Sequence, residues 1–215
     1  MAAQTDVIIP AGSEQLKGIL TLSPNAKGIV LFAHGSGSSR LSPRNQFVAH
    51  FLQESQTATL LFDLLTEEEE KIDNVTRELR FNIPLLRERL IDATHWVFSS
   101  PETHHLTVGY FGASTGAAAA LCAASSEEGR EVRAVVSRGG RPDLAGSSLR
   151  RVQCPTLFIV GEKDYGVIEL NQQALELLSC KKKLEIVPEA THLFEESGTL
   201  EAASRMASIW FHEFL

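Results

Sequence analysis

The sequence is short of the features that mark the more specialised protein classes. Three cysteines in 215 residues, Cys122, Cys154 and Cys180, are too few and too scattered for a disulfide framework or a zinc site. Positive charge is also scarce. Lys and Arg number 20 against 27 Asp and Glu, a formal net charge of −7. Such a chain has no basic footprint for a nucleic-acid backbone and gains little from an anionic membrane surface. No apolar run approaches the roughly 20 residues that a membrane span requires. The first ten residues carry Asp6 and no Lys or Arg, which does not fit a secretory signal. What remains is ordinary: 43% hydrophobic and 22% charged residues suit a soluble globular protein and exclude a disordered or fibrous chain. The expectation is one cytoplasmic domain over residues 1–215, with no nucleic-acid or membrane partner and its oligomeric state left open.

Short apolar runs rich in β-branched and aromatic residues fall at Val7–Ile9, Leu16–Leu22, Gly28–Ala33, Ala58–Asp63, Leu106–Phe111, Val132–Val136, Thr156–Val160 and Lys183–Val187. From Gly28 onward they are nearly continuous, as in strands buried on both faces of a parallel sheet. Helical patterns alternate with them. Ser42-Pro43 signals a helix start, with Phe47, Val48, Phe51 and Leu52 following on one face. Ile83, Leu86, Leu90, Ala93 and Val97 recur at helical spacing, with Arg87, Glu88 and Arg89 largely on other faces. Leu170, Ala174 and Leu177 mark a further helix, and Leu200, Ala203, Ala207, Trp210 and Phe214 a C-terminal one. The alternation predicts an α/β fold with a mostly parallel sheet of roughly eight strands, the first two forming an antiparallel edge. The acidic stretch from Glu67 to Arg80 reads as a solvated helix face or mobile loop, or else as a small flap beside the site.

Between a buried-strand run and an alanine-rich helix stands Gly112-Ala113-Ser114-Thr115-Gly116. A serine at a sharp strand-to-helix turn is lifted clear of the sheet toward the helix N-terminus, and only small neighbours two positions away permit that turn. Read alone, the serine could merely cap the helix. A nucleophilic serine needs a base and a group to orient that base. Asp164 follows the strand ending at Val160, and His192 lies in the loop after the strand ending at Val187. The order Ser, Asp, His suits a strand-to-helix nucleophile. The glycine-rich turn His34-Gly35-Ser36-Gly37 can offer the main-chain N–H of Ser36 to an oxyanion, joined by that of Thr115. It lacks the lysine and spacing of a phosphate-binding loop. Adjacent His104-His105 have poor metal-ligand spacing, so no metal is implied.

These residues resemble those of the α/β-hydrolase superfamily, most closely its small, lidless dienelactone-hydrolase-like members. The resemblance runs from about Lys17 to the C-terminus, through His34–Gly37, Gly112–Gly116, Gly161–Asp164 and Thr191–Phe194. It implies the α/β-hydrolase fold and, without a cofactor, hydrolysis of a small ester or thioester through Ser114, Asp164 and His192. The namesake enzymes carry cysteine where this chain has Ser114, which favours serine-ester chemistry over the dienelactone substrate. About 18 residues, Arg138 to Pro155, separate two strands where many relatives hold a helical lid, so a minimal lid and an open site are expected. Arg138 and Arg40, with Arg44 beside the glycine-rich turn, are candidate contacts to an anionic substrate. A non-catalytic ligand-binding protein of the same fold, or an acyl transferase using the same serine, are the alternatives.

Overall fold

Apolar runs with no polar break form strands when both faces of the sheet are covered, and the computed structural model, which describes residues 3–215, has that arrangement. Eight strands, β1 (Ala3–Ala11), β2 (Glu14–Leu22), β3 (Gly28–Ala33), β4 (Ala58–Phe62), β5 (Thr107–Ala113), β6 (Val132–Arg138), β7 (Thr156–Gly161) and β8 (Lys182–Val187), form one sheet. Their order is β1-β2-β4-β3-β5-β6-β7-β8. The β1–β2 and β2–β4 pairs are antiparallel, and the remaining neighbours are parallel. Every residue of β3, β4 and β7 is buried, whereas β1 at the edge exposes most of its length.

Helices α1 (Pro43–Glu54) and α6 (Thr199–Phe214) cover one face, where Val48, Leu52, Ala203, Ala207 and Phe211 meet Phe32, Phe111 and Val136. Helices α3 (Ile83–Ser99), α4 (Thr115–Ala124) and α5 (Tyr165–Leu177) cover the other, with Leu86, Leu90, Ala118, Leu121 and Ala174 in one core with Leu31, Tyr110 and Phe158. Parallel strands point their C-terminal ends the same way. The loops after β3, β5, β6, β7 and β8 therefore gather at one end of the sheet, where open α/β sheets place their sites. Residues Pro142–Arg151, where a lid would be inserted, form only short 3-10 turns with Gly146 at positive φ. No helix among the described residues is long and apolar enough to cross a membrane.

Two local expectations are revised. The buried stripe of α1 is Asn45, Val48, Ala49 and Leu52, so Phe47 lies off that face and is exposed. Arg89 is buried with the apolar face of α3, because its Nη1 donates to the Ala11 carbonyl at 2.7 Å and its Nη2 to Glu69 at 2.7 Å. The acidic stretch contains a helix, α2 (Glu67–Thr76), which Thr66 and Glu69 start with reciprocal capping bonds. Asp73 of α2 is buried against Arg80, which donates to it from both its main-chain N–H and its guanidinium. Burial raises the Asp73 pKa, but these bonds outweigh it and hold the carboxyl below its ordinary value.

Candidate active site

The turn from β5 into α4 has little room. A Cβ at Gly112 would stand 2.4 Å from the Ala117 Cα, and one at Gly116 would stand 2.1 Å from the Ala33 carbonyl oxygen. Both positions must be glycine for helix and strand to meet this closely. Ser114 between them has φ +50° and ψ −121°, a strained conformation for a residue with a side chain. Neighbouring loops hold it in place. Its N–H donates to the Arg138 carbonyl at 3.3 Å, and its own carbonyl accepts from the Arg141 N–H at 3.1 Å. Its hydroxyl makes no cap bond to α4, so the capping reading of Ser114 does not describe this turn.

Asp164 occupies the N-cap position of α5, yet its carboxylate makes no capping bond there. It is engaged instead by His192, whose Nδ1–H donates to Oδ2 at 2.6 Å. That bond fixes the imidazole tautomer and leaves Nε2 as the basic nitrogen. The two loops are tied at the backbone, where the Lys163 N–H donates to the Ala190 carbonyl at 2.9 Å. Ser114 and His192 line the same cavity of about 260 Å³, together with Gly35, Ser36, Ser38, Ser42, Arg44, Asn45, Arg138 and Gly139. No hydrogen bond joins Ser114 to His192 among the described residues. Such contacts are often long before substrate enters.

The glycine-rich turn after β3 is held by His34. Its Nε2 accepts the Leu64 N–H at 3.0 Å, so the proton sits on Nδ1, which donates to the Gly35 carbonyl at 3.0 Å. Burial lowers the His34 pKa, against the raising effects of the Gly35 carbonyl, Asp63 and Glu70, and the ring is neutral. Gly35 is thereby pressed against Ser114: a Cβ there would lie 3.1 Å from the Ser114 Cβ. Ser36 lines the cavity, and Thr115 is the first residue of α4 beside it. Neither amide N–H donates to a protein acceptor among the described residues.

The three arginines singled out from the sequence separate here. Arg40 does not line the cavity. Its main-chain N–H donates to Asp63 Oδ1 at 2.7 Å and its guanidinium pairs with the same carboxylate, which brings the turn back onto the end of β4. Arg138 does line the cavity, at the end of β6, with Arg44 and Asn45 from the start of α1. The roles of Ser38, Ser42 and Asn45 in its wall have no sequence signature beyond the helix cap at Ser42.

Residues 26–207 match the family model described as an alpha/beta hydrolase domain. A crystal structure of dienelactone hydrolase from Anabaena variabilis is 56% identical and superposes with a TM-score of 0.97, covering 100% of this chain and 99% of that one. An esterase of Pyrococcus furiosus shares the fold at 16% identity, with a TM-score of 0.77 over 99% of this chain and 92% of its own. Proteins from two strains of Mycobacterium tuberculosis, provisionally named phosphoribosyl transferases, are 55% identical over 210 residues, 98% of this chain. The match covers 46% of those proteins, so the chain spans about half the length of the curated relatives it matches.

Proposed function

Because the chain belongs to the α/β-hydrolase family and is dienelactone-hydrolase-like, we propose that it is a serine hydrolase cleaving a small carboxylic ester or thioester. One observation carries this reading. The Asp164 carboxylate, placed where it could cap α5, is spent on His192 at 2.6 Å, in the cavity that holds the strained Ser114. Pure ligand binding has no need of that set. The phosphoribosyl-transferase name belongs to proteins more than twice this length, and the cavity supports hydrolysis for this chain.

In this mechanism the Ser114 Oγ attacks the carbonyl carbon while His192 Nε2 takes its proton. Asp164 holds the Nδ1–H and stabilises the imidazolium. The carbonyl oxygen becomes an oxyanion, met by the amide N–H groups of Ser36 and Thr115; losing one such donor typically removes ~3–4 kcal/mol of transition-state stabilisation. The tetrahedral intermediate collapses as the carbon–oxygen or carbon–sulfur bond breaks, and His192 gives its proton to the leaving group. Water then enters, His192 takes a proton from it as the water oxygen attacks the acyl-serine carbonyl, and on collapse the C–O bond to Ser114 breaks while His192 returns the proton to Ser114 Oγ, which releases the acid and restores the enzyme. Nucleophile, base and oxyanion donors are all protein groups.

Ser114→Ala tests this directly. On folded protein, hydrolysis of short acyl esters such as p-nitrophenyl acetate is expected to fall to near background. Retention of most wild-type turnover would remove Ser114 as the nucleophile.

A further inference from the structure

We propose that the acyl group of the substrate enters a second, smaller cavity beyond the oxyanion donors, where the Thr115 hydroxyl selects a two-carbon acyl group bearing a hydroxyl next to the carbonyl. This rests on the hydrolase reading and adds a substrate class to it.

Two cavities meet at the glycine-rich turn, and Gly35 and Ser36 line both. The larger contains Ser114 and His192. The smaller contains neither; it is walled by Leu64, Leu65 and Leu86, with Thr115 and His34 beside them. With the carbonyl oxygen held by the Ser36 and Thr115 amides, the leaving group and the acyl carbon remain to be placed. The leaving group must stay within reach of His192, which protonates it, and so belongs in the larger cavity. That turns the acyl carbon toward the smaller one. Its volume is about 20 Å³, room for one group of the size of a hydroxyl or a methyl.

Size alone would admit either group, and Thr115 decides between them. The residue is 2% exposed, and its Oγ1 is buried with no hydrogen-bond partner among the described residues. A buried hydroxyl normally has a partner, because leaving it unpaired forfeits the hydrogen bonds it made to water. Within a helix a threonine hydroxyl can take the carbonyl of the preceding turn, but Thr115 is the first residue of α4 and has no such turn behind it. The polar neighbours are already committed. Both ring nitrogens of His34 are used, by the Leu64 N–H and the Gly35 carbonyl, and the Arg80 guanidinium is held by Asp73 and Asn74. Valine has the shape of threonine and would line the cavity without burying a polar atom. The hydroxyl therefore calls for an explanation other than packing, and a hydroxyl on the acyl group supplies one. It can donate to Thr115 Oγ1 or accept from it, while the three leucines close the cavity to a longer chain.

Ethyl glycolate and ethyl propionate test the proposal, because their acyl groups differ only by a hydroxyl in place of a methyl. Each kcat/KM is divided by the rate constant for hydroxide-catalysed hydrolysis of the same ester, which removes the intrinsic activation of glycolate. The corrected ratio, glycolate over propionate, is expected to be at least tenfold in the wild type, since a site that pairs with a substrate hydroxyl rejects the analogue lacking it. It should fall toward one in Thr115→Val, which keeps the shape and the amide N–H, and be retained in Thr115→Ser. Ethyl hexanoate reads the size of the cavity. Its kcat/KM should lie at least tenfold below that of propionate and recover in Leu65→Ala. Leu65 is only partly buried, so its variant carries the test should Thr115→Val fail to fold. A corrected ratio near one, a ratio unchanged in Thr115→Val, or hexanoate turnover equal to that of propionate each overturns the proposal and leaves the hydrolase reading standing. No turnover of any of these esters would remove both.

Discussion

At the scale of single residues, His34 shows how a group outside the proposed catalytic set supports it. Its neutral ring is wedged between the Leu64 amide and the Gly35 carbonyl, and the turn that offers the Ser36 amide hangs from it. A histidine whose folded pKa is lowered stays unprotonated while the unfolded chain already takes up a proton. Stability should therefore be intact above about pH 6.5 and be lost as pH falls from there toward the lowered folded value, by up to ~1.4 kcal/mol per pH unit. His34→Gln keeps an acceptor for the Leu64 N–H and removes the titration. Urea melts between pH 7.5 and 5 should show a shallower loss in that variant; identical slopes would mean that His34 does not set this dependence. Residue identity alone could not disclose this. The same limit applies to the arginines: whether Arg40 meets Asp63, or Arg138 meets Asn45, is decided by segments distant along the chain.

At the scale of elements, the junction of β5 and α4 is where local sequence and tertiary packing agree most closely. Spacing of Gly112, Ser114 and Gly116 between an apolar run and a helix is a local signal, and the close approach of α4 to the end of β3 explains it. A methyl group at Gly116 would collide with the Ala33 carbonyl, part of a strand paired on both sides. Gly116→Ala should therefore cost on the order of 3 kcal/mol or more and displace the serine. Gly166 in α5 is the matched control, because nothing lies within 4 Å of a Cβ built there and alanine is the better helix former. Gly166→Ala should leave stability unchanged or raise it by up to about 1 kcal/mol. Thermal melts of the two variants check the contrast, and equal effects would contradict this view of the turn from β5 into α4. Elsewhere the elements were legible to differing degrees. The strands from Gly28 onward announce themselves by unbroken apolar runs. Helix α2 was harder to read, because four consecutive glutamates hide the features that hold it, the Thr66–Glu69 cap and the buried Asp73–Arg80 pair. A face such as that of α1, where Asn45 is buried and Phe47 exposed, is set by what the helix packs against.

At the scale of the whole molecule, the parallel strands convert distance along the chain into proximity. Residues 34–36, 114–115, 138, 164 and 192 come from five loops, and the shared strand direction brings those loops to one end of the sheet. This is why the order of Ser114, Asp164 and His192 could be read from strand ends alone, and Ser36, Arg44 and Arg138 with them, while Ser38, Ser42 and Asn45 of the cavity wall could not. Wall residues such as Asn45 and Ser38 owe their place to helix packing and to the volume left over. This convergence is what would make Ser114 a reactive nucleophile. The most direct measurement is intact mass after treatment with a fluorophosphonate, comparing the wild type with Ser114→Ala. A single adduct is expected on the wild type and none on the variant. A wild type that is folded yet unlabelled, or labelling that persists without Ser114, would contradict it.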